Sequence, residues 1–148
     1  MEKKMNNKGF SLVELIVVIA IMAVLVGVLA PQFIKYVEKS RQSTDIQNVD
    51  TIKSVVESYY SDKDNPPASV TVTINATNTS AKDDKSNTVD PGLTDAGVKK
   101  NKLKSSSWSA ITMKYVPSTG VWEYGYTAVT GKTPYYKISS DKTAFEVE

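Results

Sequence analysis

With 148 residues, neither Cys nor His, and a net charge of +2, the chain has room for one domain plus one long extra element. Thiol nucleophiles, Ser-His pairs, ordinary zinc sites and disulfides are excluded, so a domain must rest on a packed core. Lys3, Lys4 and Lys8 against Glu2 carry the whole excess, leaving 15 basic against 15 acidic residues, which argues against a binder of nucleic acid through bulk charge.

Residues 1–9 are basic and polar. Residues 15–30 are uncharged and almost wholly apolar. Pro31 and Gln32 interrupt this block, and Phe33, Ile34, Tyr36 and Val37 extend it. Ile46, Val49, Ile52, Val55, Val56, Tyr59 and Tyr60 then recur at spacings of three and four, one stripe of an amphipathic helix. The stripe is weakest over 40–44, and Pro66-Pro67 after a polar cluster close it. One helix over 10–61 is therefore expected, about 78 Å long at 1.5 Å per residue. Its front half is apolar all round, and its back half carries one stripe suited to packing on a sheet.

Beyond Pro67 the period becomes two. Val70, Val72 and Ile74 alternate with threonines. Residues 75–106 read as a long polar loop region, with a short helix near 94–103. Strands are expected at 108–116 and 121–129, joined by a hairpin turn at Pro117-Ser118-Thr119-Gly120, and again at 135–139 and 143–147. The fold class is α+β: a long N-terminal helix whose C-terminal half packs on an antiparallel sheet of about four strands, mainly within 108–147.

Three readings compete for the N-terminal block. A cleaved signal peptide needs a small-x-small site, and Val28-Leu29-Ala30 before Pro31 is a poor one. A plain anchor is slightly short of the ~20 residues that span a bilayer. Glu14 separates these from the third reading. A carboxylate at the edge of bilayer costs about 2.5–3.5 kcal/mol or somewhat less on insertion scales, and a plain anchor gains nothing from it. Such a charge asks for a partner, and no Lys or Arg lies between Lys8 and Lys35. Cleavage after Gly9 would create one, the α-amino group of Phe10, able to meet Glu14 of a neighbouring copy and set the register between them.

The run Lys8-Gly9-Phe10-Ser11-Leu12-Val13-Glu14-Leu15, followed by Ile16-Val17-Val18-Ile19-Ala20-Ile21, closely resembles the signature of type IV pilins. The resemblance covers roughly the first 30 residues. It implies a leader of residues 1–9, a membrane and filament-core helix over 10–34, and a globular domain over 35–148. It implies a membrane prepilin peptidase that cuts after Gly9 and methylates Phe10, and an assembly platform driven by an ATPase. Glu14 and Pro31 fall on assembly positions. The helix-loosening Gly usual upstream of that proline is replaced by Ala23, with Gly27 one turn later. The lack of Cys points to a cysteine-free branch such as Gram-positive pilins. The implied product is a helical homo-oligomer, held in the cytoplasmic membrane as a single-pass precursor and extracellular once assembled, with no cofactor and no enzymatic activity. A pseudopilin and a membrane-anchored binding domain are the rival readings.

Elsewhere, Lys99-Lys100-Asn101-Lys102-Leu103-Lys104 with Trp108 nearby has the composition of a DNA- or surface-binding patch, although a solvated face is the better reading. Asp62, Asp64 and Asn65 begin like a calcium loop, but Pro66-Pro67 break its spacing. Asn75 and Asn78 each open a glycosylation sequon. The aromatic residues of 108–136 are assigned to the sheet core and its rims.

Overall fold

The computed structural model describes residues 9–147. One helix, α1, runs from Leu12 to Ser61 and is followed by seven strands: β1 Val70–Asn75, β2 Thr79–Asp83, β3 Thr88–Val89, β4 Trp108–Val116, β5 Val121–Ala128, β6 Tyr136–Ile138 and β7 Phe145–Val147. The chain divides into two compact units, with the boundary between Val37 and Glu38.

In the second unit α1 presents one face to a core. Gln42, Asp45, Val49, Ile52, Val56 and Tyr60 are its buried positions, at steps of three or four. The sheet order is β3-β2-β1-β4-β5, and every neighbouring pair is antiparallel. Registers place Val70, Val72 and Ile74 opposite Tyr115, Met113 and Ile111, and these opposite Trp122, Tyr124 and Tyr126 in turn. Since side chains alternate across a strand, this register puts all of them on one face with the helix stripe. Val70, Val72, Ile74, Ile111 and Met113 are fully buried with Ile52 and Val56. Rings continue the core along the sheet: Tyr115 stacks on Trp122 at 4.6 Å, and Tyr124 meets Phe145 at 5.5 Å. Burying such side chains contributes roughly 1.5–3 kcal/mol each, which suits a domain that has no disulfide.

The α+β architecture agrees with the sequence, with three differences. First, α1 starts at Leu12 rather than Phe10, because Ser11 is its N-cap. Second, the main sheet has five strands instead of about four, and only β4 and β5 of the expected 108–147 set belong to it. The strands β6 and β7 form a separate hairpin. Third, 75–106 is built rather than loose. The Asn75 side-chain oxygen accepts the N–H groups of Thr77 and Asn78 and the Thr77 hydroxyl, turning β1 into β2. The buried face of β2 is only Thr79 and Ala81, so hydrophobic alternation was invisible there. The helix expected near 94–103 is one 3-10 turn, Val98–Lys100.

Candidate functional site

The residues expected to serve cleavage and assembly, Gly9, Phe10, Glu14 and Pro31, lie in the first unit. The expected leader, residues 1–9, lies outside the described residues except for Gly9. Gly9, Phe10 and Ser11 precede the helix and are exposed, Phe10 to 86%. Ser11 and Glu14 then form a reciprocal pair. The Ser11 N–H donates to Glu14 Oε2 at 2.9 Å, and the Glu14 N–H to Ser11 Oγ at 3.4 Å. Ser-x-x-Glu is the capping-box pattern, and it satisfies two of the N–H groups a helix start leaves open. The carboxylate also sits where the helix dipole favours negative charge. This corrects the sequence argument at one point: even a plain anchor gains something from a carboxylate at residue 14.

Behind the cap, the apolar side chains of α1 have nothing to pack on. The large ones from Leu12 to Ile34 are exposed, down to 42% at Val18 and no lower. Among the described residues this is the one helix long and apolar enough to cross a membrane. Pro31 lies inside it, where a missing N–H leaves the Gly27 carbonyl without its usual i+4 donor. A Cβ added at Gly27 would meet nothing within 4 Å, so packing within the chain does not require that glycine.

The second unit holds polar residues, Asp45 and Gln42 buried and Glu38 half-buried, that the apolar pattern does not reveal. Asp45 accepts the N–H groups of Lys104 and Ser105 at 2.7 and 2.9 Å and the Trp108 indole N–H at 2.9 Å. Glu38 Oε1 accepts the hydroxyls of Ser105 and Ser107 at 2.5 and 2.8 Å and the Ser106 N–H at 2.9 Å. Gln42 Oε1 accepts the N–H groups of Tyr135 and Tyr136. Burial pushes the Glu38 carboxyl up, but the Ser105 and Ser107 hydroxyls with the Ser106 N–H outweigh it and hold it below the usual range. Extending the apolar stripe backwards by steps of three and four reaches Asp45, Gln42 and Glu38. That spacing was the available signal; their polarity hid it.

The basic run 99–104 loses the aromatic partner assigned to it. Trp108 is 2% exposed and bonded to Asp45, so no base can stack on it, while Lys99 pairs with Asp90 at 3.4 Å.

Comparison with known proteins fits this layout. Residues 4–30 match the family described as the prokaryotic N-terminal methylation motif. The chain is 38% identical over 59 residues to the type IV major pilin protein PilA of Myxococcus xanthus, 40% of this chain and 27% of that protein. It is 38% identical over 77 residues to the fimbrial protein EcpC of Eikenella corrodens, 49% and 50% of the two chains. It is 44% identical over 57 residues to the prepilin peptidase-dependent protein A of Clostridium perfringens, 38% and 41% of the two. Each alignment thus spans half or less of the relative's length. No solved structure matches significantly. The chain therefore carries the prokaryotic N-terminal methylation motif, at the head of an α+β fold of one long helix and an antiparallel sheet.

Proposed function

We propose that the chain is the structural subunit of a type IV pilus, with no enzymatic activity of its own. It is made as a membrane-held precursor with a leader of residues 1–9, cut after Gly9 and methylated on Phe10. Residues 10–34 then form the core of a helical surface filament, and the body, 35–148, faces outward. Its partners are copies of itself, the prepilin peptidase and methylase, and the assembly platform with its ATPase.

One observation carries this reading: Glu14 is the single charge between Lys8 and Lys35, at the head of a helix whose large apolar side chains from Leu12 to Ile34 are all exposed. Exchanging lipid for protein around such a helix gains little hydrophobic energy, so packing and specific polar pairs decide assembly. Glu14 already faces the Ser11 N–H, one residue from where cleavage places a positive amine. Passing from this local cap to the Phe10 amine of a neighbour keeps the carboxylate paired in both states. Pro31 supplies a second assembly feature, a point where α1 yields most easily under neighbour packing.

N-terminal sequencing of the mature protein is expected to start at methylated Phe10; a start at Met1 or near Pro31 would remove this reading. Glu14→Ala is expected to be cut normally and to assemble poorly. Abundant filaments from that variant would sink the charge pairing. Imaging surface fibres with an antibody to 68–148 distinguishes this subunit from a pseudopilin, whose N-terminal block would be the same.

A further inference from the structure

The two glycosylation sequons fall on one hairpin, and the fold treats them differently. Asn75 closes β1. Its N–H donates to the Asn78 carbonyl at 3.0 Å, and its carbonyl accepts the Leu103 N–H at 3.0 Å. Alternation along β1 puts its half-buried side chain on the face opposite Val70, Val72 and Ile74, away from the core. Asn75 Oδ1 accepts the Thr77 N–H at 2.8 Å, the Thr77 hydroxyl at 2.7 Å and the Asn78 N–H at 3.0 Å. Three donors on one atom decide which end of the amide is the oxygen. Nδ2 is therefore the other end, and among the described residues it donates to no acceptor. Ala76, Thr77 and Asn78 beside it are exposed. In the second sequon, Thr79 is fully buried with its hydroxyl given to the Asn101 carbonyl at 2.9 Å. Ser80 is paired with Thr73 inside the sheet. Asn78 Oδ1 is met only by the Thr77 hydroxyl, at 3.3 Å, and not by Ser80.

We propose that Asn75 is a modification site: the acceptor of an N-linked saccharide, donated by a polyprenyl-diphosphate-linked sugar, with Thr77 as its positioning residue. A carboxamide nitrogen is a poor nucleophile because its lone pair is shared with the carbonyl. The Thr77 hydroxyl and N–H draw electron density toward Oδ1 and make the Nδ2 protons easier to remove. In the transfer, a base of the transferase takes one of these protons and Nδ2 bonds to the sugar C1. The bond from C1 to the diphosphate oxygen breaks, and the diphosphate leaves with that electron pair. An Asn-x-Thr acceptor belongs on a surface turn of an exported domain, which is where residues 75–78 lie. Lys3, Lys4 and Lys8 precede the apolar block, and the positive-inside rule then leaves the body outside the membrane. The inference rests on that outward-facing body and adds to it a covalent mark on the β1–β2 turn.

Intact-mass spectrometry of the protein from the cells that make it, with fragmentation of the tryptic peptide 64–82, reads the site. A saccharide mass on Asn75 is expected. Asn75→Asp keeps an acceptor for the turn but lacks the nitrogen, and is expected to lose the added mass. Thr77→Val keeps the turn N–H but lacks the hydroxyl, and is also expected to lose it. Thr77→Ser should retain it, and Asn78→Gln should leave it unchanged. Circular dichroism of the body is expected to stay at the wild-type level in all four. Bare Asn75 on a body that protease added to intact cells can digest would overturn the inference. So would a sugar on Asn78, retention of the mass in Thr77→Val, or a sugar on Ser or Thr that persists in Asn75→Asp. A body sealed from that protease would instead remove the outward-facing reading, and this one with it.

Discussion

Residues 9–37 and 38–147 solve opposite problems. The first stretch is the more hydrophobic, yet none of its large apolar side chains from Leu12 to Ile34 is buried; the second is rich in Ser, Thr and Lys, yet buries Val49, Ile52, Val72, Ile111 and Met113 almost completely. Hydrophobicity alone does not place a residue in a core. What matters is whether the apolar face is narrow enough to be matched by another element of the same chain. Over 38–61 the stripe meets the sheet. Over 12–34 the helix is apolar on all sides, too broad a face for one element of the chain to match.

That contrast breaks most visibly under truncation. Ile52→Ala opens a cavity between α1 and the sheet and is expected to cost the body about 2–5 kcal/mol in denaturant unfolding. Leu25→Ala removes the same kind of side chain from an exposed position and is expected to leave body stability within about 0.5 kcal/mol, its effect appearing in assembly instead. Equal losses of body stability would contradict the division. Asp45→Ala comes next. It strands the Trp108 indole N–H and two backbone donors, and about 2–3 kcal/mol of destabilisation is expected. Asp45→Asn, which keeps the shape, should lose less; a neutral Asp45→Ala would mean that water replaces the carboxylate.

The N-terminal motif and the strands from 108 onward were legible because each rests on local pattern. Gly9, Phe10 and Glu14 fall within six residues, and β4 and β5 alternate around a Pro-Ser-Thr-Gly turn apart from one irregularity between Trp108 and Ala110. The rest was hidden where polar residues do the work of apolar ones. Thr79 is fully buried in β2, and Gln42 and Asp45 are 1% exposed on α1, so period counts passed over all three. Ser11 was read as part of a peptidase motif while also capping the helix. Strand partnership was not local either: β1 lies between β2 and β4, which a chain-order reading does not supply.

A smaller effect tests the sheet itself. Gly125 lies opposite Thr112, and a Cβ there would come 2.6 Å from Thr112 Oγ1. Gly125→Ala is expected to cost about 1 kcal/mol in urea unfolding, less than the cavity variants because the hydroxyl can change rotamer. Thr112→Ala in the same chain should remove that cost. A penalty that persists in the double variant would place the strain in the β5 backbone rather than at this contact.

The smallest expected effect, acid sensitivity, again divides the two regions. Glu38 is held below the usual range: burial raises it, but the Ser105 and Ser107 hydroxyls and the Ser106 N–H prevail. Asp141 is brought down to about 2 by the Ser139 hydroxyl and then by Thr143. A carboxyl depressed in the folded state contributes stability that is present above its unfolded value and lost as pH falls through its folded value. The body should therefore hold a level melting temperature down to about pH 5 and lose it progressively toward pH 2. Glu38→Gln should flatten part of that slope. At the alkaline end, burial and then the charges of Asp50 and Glu57 push Tyr124 up to about 12. Its contribution is complete below the ordinary tyrosine value near 10 and declines as pH rises from there through 12. Thermal melts followed by near-ultraviolet circular dichroism report this packing, because Tyr124 sits between Trp122 and Phe145. Melting temperatures that stay level from pH 5 to pH 2 would mean that the serine hydroxyls do not hold Glu38 as drawn, and that the head of the second unit is looser than its hydrogen bonds imply.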